Sequence, residues 1–232
     1  MTKNCVIVGV GPGNGASFAR RFSSAGYQIA MLARNEAYLR QLSTEIRGTQ
    51  AIGCDAQEPA SIREAFDKVH EVLGPVDVMI YNAGAGDWKS VEDTRLEEFE
   101  SSWKTNAFGL LAATQQVIPA MKERSRGCII VIGATASLRG GAQTTGFAAA
   151  KAAQRSLTQS MARSLGPTGI HVSHVVIDGV IDLARTRTTM ADRPDEFFLK
   201  PEAIAETVYN LTEQDPSAWS FEIDLRPHIE KW

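Results

Sequence analysis

The sequence predicts a doubly wound α/β fold, in which helices cover both faces of a parallel sheet of about seven strands. Short apolar runs rich in Val and Ile alternate with longer segments of helical period along nearly the whole chain. The runs show little polar alternation, which is typical of strands buried on both faces of a parallel sheet. Such a strand and helix rhythm favours parallel pairing with right-handed crossovers.

The predicted elements follow one another without an internal repeat, a low-complexity tract or a linker, so we expect a single domain over residues 1–232. The predicted strands are 5–9, 28–33, 50–55, 76–82, 127–133, 170–177 and 221–225. The predicted helices are 14–25, 36–46, 59–73, 95–123, 144–165 and 201–213. Residues 180–200 have no clear period, and we interpret them as a mobile flap over a substrate site.

Composition excludes several classes of function. With 232 residues, of which 44% are hydrophobic and 22% charged, the chain is long enough to bury a core and lacks the bias of disordered proteins. The net charge of −3 gives no electrostatic reason to expect nucleic acid or a membrane as a partner. Cys5, Cys54 and Cys128 show no CxxC spacing, and we find neither a basic leader nor an apolar run of about 20 residues. We therefore expect a soluble cytoplasmic protein that acts on a small molecule.

A glycine-rich turn separates the first predicted strand from the first helix, with Gly9, Gly11, Gly13 and Gly15 at alternate positions. Glycines let the backbone approach a phosphate closely, and a helix amino terminus offers unpaired N–H groups and a partial positive charge. This context predicts dinucleotide binding, although a plain strand-to-helix turn is the alternative.

The end of the second predicted strand indicates which dinucleotide is bound. An acid there would hydrogen-bond the ribose 2′-hydroxyl of NAD, whereas a cation can pair with the 2′-phosphate of NADP. Here Ala33 and Arg34 stand at the strand end without an acid. The pattern favours NADP(H) over NAD(H), the alternative being that Arg34 is only an exposed residue at a helix start.

Together these motifs resemble the short-chain dehydrogenase/reductase family, from residue 5 to about residue 213. Gly9, Gly13 and Gly15 match its GxxxGxG turn, although Val8 stands where threonine is usual. The resemblance implies a Rossmann fold and oxidation or reduction with a nicotinamide cofactor. It further implies cofactor contacts for Asp55, Asn82, Ala83, Gly84, Lys151 and Gly179, and retained catalytic positions for Asn106 and Lys151.

Two departures from the family concern its proton donors. The family has a tyrosine four residues before the lysine and a serine thirteen residues before the tyrosine, and here these positions hold Phe147 and Ala134. The nearest alternative donors in the sequence are Thr135, Ser137 and Asp178. General acid catalysis contributes about 10²- to 10⁴-fold and an oxyanion donor about 10²- to 10³-fold, so we expect ordinary carbonyl reduction to be lost.

Three hypotheses remain open. The protein is an NADP(H)-dependent oxidoreductase whose substrate needs little protein acid, such as a pre-protonated imine or an activated alkene. Alternatively, it is a catalytically inactive dinucleotide-binding sensor or partner subunit, or a scaffold that binds no nucleotide. Lys151 retains a reason to exist in the first two hypotheses, because the family's lysine also holds the nicotinamide ribose.

The assembly and the possible metal ligands complete the predictions. The resemblance implies a homodimer or homotetramer that pairs through the helices 95–123 and 144–165, whereas the alternative is that their small residues only pack on the sheet. We predict no metal site, because strand period sends His171 and His174 to opposite faces. The tail, with Trp219, Phe221 and Trp232, is expected either to join an interface or to cap the pocket.

Overall fold

The computed structural model describes residues 2–230 and contains one parallel sheet of seven strands, which confirms the predicted fold class. The strands are β1 (Asn4–Val8), β2 (Gln28–Ala33), β3 (Thr49–Gly53), β4 (Val78–Tyr81), β5 (Gly127–Ile132), β6 (Ile170–Ile177), β7 (Val180–Ile181), β8 (Phe198–Leu199) and β9 (Glu222–Leu225). The main sheet has the order β3-β2-β1-β4-β5-β6-β9, and β7 pairs with β8 separately.

The helices cover both faces of this sheet. They are α1 (Asn14–Ser24), α2 (Glu36–Glu45), α3 (Pro59–Leu73), α4 (Leu96–Trp103), α5 (Gly109–Glu123), α6 (Thr145–Leu165), α7 (Ala184–Thr189) and α8 (Pro201–Thr212). Side chains alternate between the faces, so Ile7 belongs to the apolar cluster under α1 and α8, whereas Val6 belongs to the cluster under α3 and α5.

The predicted helix 95–123 consists of α4, one π-helical turn at Lys104–Phe108 and α5. Within that turn the side-chain Nδ2 of Asn106 donates to the carbonyl oxygen of Ser102, at 2.8 Å. This oxygen lies four residues earlier and would otherwise accept from the backbone N–H of Asn106 in a regular α-helix. The competition accounts for the local widening, which turns Asn106 into the core.

The strand order reverses between β1 and β4, which opens a crevice at the carboxyl ends of these strands. Gly9 follows β1 with φ of +91°, and a Cβ added there would lie 2.5 Å from the Cα of Ala83, which follows β4. Asn82 donates from Nδ2 to the carbonyl oxygen of Gly9 at 2.7 Å. Glycine at position 9 therefore lets the two loops meet.

The segment 180–200 holds short elements instead of one long irregular loop, namely β7, α7 and β8. Its Leu183 side chain contacts Gly13, so the segment lies against the glycine-rich turn. Arg187 pairs with Asp182 at 2.7 Å and with Asp195 at 2.5 Å, which joins the two halves of the segment. Its mobility stays a prediction, and Trp232 lies outside the described residues.

Within residues 2–230, no helix is both long enough and apolar enough to cross a bilayer.

Candidate active site

The glycine-rich turn leads into the amino terminus of α1, which no side chain caps. Gly15 lies under the turn, where an added Cβ would be 2.7 Å from the Cα of Val10. At Gly11 an added Cβ would meet no atom within 4 Å, so the turn is open on that side. The buried Oδ1 of Asn14 has no hydrogen-bond partner. An uncapped helix start beside an open turn fits a bound pyrophosphate.

Arg34 and Asp55 follow β2 and β3 and lie at the same edge of the sheet. The Arg34 side chain is exposed, and the nearby acid Glu36 pairs with Arg40 instead, at 2.9 Å. Asp55 is half-buried and accepts the backbone N–H of Gln57 on Oδ1 at 3.0 Å. The structure thus brings both predicted residues to the crevice side where the adenosine half of a dinucleotide would lie.

Asn106 and Lys151 converge on Gly84, which follows Asn82 and Ala83 after β4. A Cβ added at Gly84 would lie 3.4 Å from Oδ1 of Asn106 and 3.6 Å from Nζ of Lys151. Residues from the loop after β4, the π-helical turn and α6 therefore share one small space.

Asn106 offers an unused acceptor to that space. Its side chain is fully buried, and Nδ2 donates to the carbonyl oxygens of Ala85 at 2.6 Å and Ser102 at 2.8 Å. These two bonds fix the orientation of the amide. Oδ1 is buried and has no partner, and an unmet acceptor of this kind costs about 1–3 kcal/mol.

Lys151 is buried and bonded through two of its three N–H groups. Nζ donates to the carbonyl oxygen of Ile132 at 2.9 Å and to Oε1 of Gln154 at 3.0 Å. Burial lowers the pKa of Lys151 to about 7, because desolvation disfavours the charged form. Gln154 also donates from Nε2 to the carbonyl oxygen of Asn106 at 2.9 Å.

These donors and acceptors fit a ribose. A hydroxyl both donates and accepts, so vicinal hydroxyls above Gly84 can donate to Oδ1 of Asn106 and accept from Lys151. Because Gly84 has no side chain, that space stays open.

An aromatic pair forms one wall of the site. Phe147 is half-buried, and its ring stacks on that of Trp88 with centroids 5.3 Å apart and planes at 30°. Its Cδ2 lies 2.5 Å from the position of a Cβ added at Gly86, and Nζ of Lys151 is 5.9 Å from the ring centroid. Lys151 therefore faces an apolar ring on this side.

The hydroxyl and carboxyl groups near Ala134 are engaged elsewhere. The Ser137 hydroxyl accepts the backbone N–H of Ala134 at 3.1 Å. Thr135 donates to Oδ1 of Asp178 at 2.5 Å, and the other oxygen of Asp178 pairs with Arg226 at 2.9 Å. These bonds join the loops after β5 and β6, and none of them leads to Lys151.

Gly179 follows Asp178 at the point where the chain leaves β6. A Cβ added at Gly179 would lie 2.8 Å from Cδ of Pro227 and 3.0 Å from Cδ1 of Leu199. The structure therefore places Gly179 at the base of the 180–200 segment, packed against the chain beyond β9.

The two histidines of β6 contact different neighbours, as the strand period requires. His171 stacks on Trp219 with ring centroids 4.9 Å apart. His174 is fully buried, and its Nδ1 lies 3.1 Å from Glu222, which Arg155 also holds. Over the described part of the chain there is no cluster of three or more His, Cys, Asp or Glu that could hold a metal ion.

Sequence reasoning missed Gln154 and Trp88 as parts of this site. Gln154 lies three residues after Lys151, a spacing that places both on one face of a helix. The only indication for Trp88 in the sequence is that an aromatic residue follows shortly after Gly84.

The fold and the crevice define a doubly wound α/β protein in which a dinucleotide fits the crevice at the carboxyl ends of β1 and β4. The family model described as short chain dehydrogenase matches residues 3–195. The chain therefore belongs to the short-chain dehydrogenase family, a family of oxidoreductases that bind nicotinamide dinucleotides.

Known proteins resemble the chain over 97% or more of its length. An uncharacterized oxidoreductase of Staphylococcus aureus is 26% identical over 97% of both chains. A short-chain dehydrogenase from Rhodopseudomonas palustris is 29% identical, with a TM-score of 0.84 over 97% of this chain and 99% of that one. An alcohol dehydrogenase from the archaeon Thermococcus sibiricus, complexed with 5-hydroxy-NADP, is 25% identical, with a TM-score of 0.89 over 100% and 99%.

Lys151→Met tests the buried ammonium through stability. Burial lowers the pKa of Lys151 from 10.5 to about 7, so between these values the unfolded chain holds a proton that the folded protein has released. The unfolding free energy of the wild type should therefore rise with pH relative to the variant, by at most about 1.4 kcal/mol per pH unit. Urea unfolding of both proteins at several pH values measures the difference.

The matched control for this measurement is Lys122→Met, which removes an exposed lysine of α5. Its difference from the wild type should show no comparable slope over the same range. A pH-independent difference for Lys151→Met would contradict the buried-lysine assignment.

Proposed function

We propose that the protein is an NADP(H)-dependent oxidoreductase whose substrate needs no proton from the residues at the family's tyrosine and serine positions. The observation that carries the proposal is the convergence of Asn106 Oδ1 and Lys151 Nζ above Gly84. A ribose site is supported there, while Phe147 and Ala134 supply no hydroxyl beside it.

In this proposal, residues at both halves of the crevice contact the cofactor. The uncapped start of α1 receives the pyrophosphate, and the exposed Arg34 pairs with a 2′-phosphate. Asp55 contacts the adenine, while Lys151 and Asn106 hold the nicotinamide ribose. Gly179 contacts the cofactor from the base of the 180–200 segment. The relative from Thermococcus sibiricus, with its bound 5-hydroxy-NADP, supports the NADP choice.

The reaction part follows from the missing acid. When bound, the cofactor supplies a hydride. In this proposal Phe147 and Ala134 correspond to the family's tyrosine and serine, and neither side chain has a proton to give. Phe147 and Trp88 form an apolar wall instead. The chain then orients its substrate but donates no proton.

Two substrate classes suit such a site. A protonated imine becomes a neutral amine when hydride reaches its carbon, so that no proton transfer is required. An activated alkene takes hydride at one carbon and then a proton from water at the other.

A second candidate function is a dinucleotide sensor without turnover. Leu183 of the 180–200 segment contacts Gly13 in the phosphate turn, so a bound dinucleotide would act directly on this segment. A partner could respond to the change. Stopped-flow tests of NADPH oxidation against carbonyls, imines and enones distinguish the two functions.

We also propose that the protein forms a homodimer or homotetramer. Phe99, Trp103 and Leu111 on α4 and α5 are 38%, 42% and 40% exposed. Pairing with a second copy would bury these side chains together with the small residues of α6.

Arg34→Ala tests the cofactor choice. A charge-assisted hydrogen bond contributes about 1.5–3 kcal/mol, so the variant should lose roughly 10- to 100-fold in NADPH affinity while its NADH affinity changes little. Titration of tryptophan fluorescence with each nucleotide measures both.

Arg40→Ala removes another exposed arginine close by and serves as the control for Arg34→Ala. Equal loss of NADH and NADPH affinity in Arg34→Ala would contradict the 2′-phosphate contact. No binding of either nucleotide by the wild type would leave the scaffold hypothesis.

The double variant Ala134→Ser, Phe147→Tyr tests the reaction. It introduces the two hydroxyls of the family's serine and tyrosine, and we expect NADPH-dependent reduction of simple ketones to rise about 10²-fold or more above the wild type. Adding Lys151→Met to this variant provides the control, because it removes the neighbouring amine. A double variant that binds NADPH yet reduces no ketone would contradict the assignment of these two positions.

A further inference from the structure

Gln154 connects the two polar residues of the site through one fully buried side chain. Its Oε1 accepts from Nζ of Lys151 at 3.0 Å, and its Nε2 donates to the backbone carbonyl oxygen of Asn106 at 2.9 Å. Both partners fix the amide orientation, because an ammonium only donates and a carbonyl only accepts. The side chain therefore ties α6 to the π-helical turn.

This arrangement aims Lys151. Two of its three N–H groups are used by Ile132 on β5 and by Gln154 on α6. The remaining N–H group can reach the space above Gly84, because Nζ lies beside that space. Oδ1 of Asn106 lies beside the same space and has no hydrogen-bond partner. Loss of Gln154 would free both the amine and the turn.

The partners of Lys151 are all uncharged. Each element packed against it presents a neutral group: the Ile132 carbonyl from β5, the Gln154 amide and the Phe147 ring from α6, and the Asn106 amide from the π-helical turn. His174 on β6 interacts electrostatically with Lys151, and burial lowers the pKa of His174 to about 4. Glu222 is engaged by Arg155 and His174.

We propose that Gln154 is a positioning residue: it holds Lys151 toward the cofactor ribose through an uncharged hydrogen bond, and thereby makes the preference between oxidised and reduced cofactor depend on pH. This inference rests on the proposed cofactor site. The oxidised nicotinamide ring carries a positive charge that the reduced ring lacks, so a nearby ammonium disfavours the oxidised form and a neutral amine does not.

The protonation of Lys151 determines how the relative affinity for NADP⁺ and NADPH changes with pH. Burial lowers the pKa of Lys151 to about 7, so the ammonium is present below that pH and is lost above it. The affinity for NADP⁺ relative to NADPH should therefore increase as the pH is raised through this value. We expect a change of about tenfold or more, because like charges in a partly buried site repel each other strongly.

Two nearly isosteric substitutions should move this transition in opposite directions. Gln154→Glu places a carboxylate beside the ammonium, which raises the pKa of Lys151 and moves the transition to higher pH by about one unit or more. Gln154→Met removes the hydrogen bond to the ammonium, which moves the transition to lower pH and weakens the binding of both nucleotides.

The experiment measures the dissociation constants of NADP⁺ and NADPH between about pH 5.5 and 9.5 for the wild type and both variants. Gln115→Glu, an exposed glutamine of α5, is the matched charge control and should keep the wild-type midpoint. A merely structural Gln154 would change stability or overall affinity without moving the midpoint in two directions.

The outcomes separate this inference from the function on which it rests. No nucleotide binding by the wild type would overturn both. Binding with a pH-independent ratio, or an unchanged midpoint in folded Gln154 variants, would overturn only the role of Gln154. If neither variant folds, the pH dependence of the wild-type ratio still decides, because a flat ratio contradicts the proposal.

Discussion

The burial of Lys151 without a carboxylate partner is the constraint to which the rest of the site conforms. Taking an ammonium out of water is costly unless hydrogen bonds replace its hydration. Here the replacement comes from the end of β5, through the carbonyl of Ile132, and from α6 itself, through Gln154. Because Gln154 also holds the carbonyl of Asn106, the lysine, the π-helical turn and the strand end form one hydrogen-bonded unit. Nζ of Lys151 and the unpartnered Oδ1 of Asn106 lie beside the space above Gly84.

The sheet determines where that space lies. Strand order reverses between β1 and β4, and the close approach of Gly9 to Ala83 brings the loops after these strands together. The glycine-rich turn and Gly84 therefore belong to the same crevice. The contact of Leu183 with Gly13 brings the 180–200 segment to its other side. A ligand that spans the crevice would therefore contact the glycine-rich turn at one end and the space above Gly84 at the other.

The sequence predicts features that arise from local pattern and misses those that arise from partners distant in the chain. The buried strands follow from hydrophobic period and the glycine-rich turn from glycine spacing, whereas Asn106 and Lys151 follow from the resemblance to the family. The π-helical turn does not, because it depends on the Asn106 side chain taking the carbonyl of Ser102. The engagement of Asp178 by Thr135 and Arg226 was equally hidden, since it joins three separate loops. The elements of residues 180–200 were missed because β7 and β8 are two residues long, too short to show a period.

In the proposed binding mode the space above Gly84 receives a cofactor ribose, and a crystal structure of the protein with NADP(H) tests this most directly. We expect ribose hydroxyls within hydrogen-bonding distance of Lys151 Nζ and Asn106 Oδ1, with the nicotinamide ring near Phe147. A nucleotide bound with its ribose away from both atoms, or a crevice left empty at saturating nucleotide, would contradict the account.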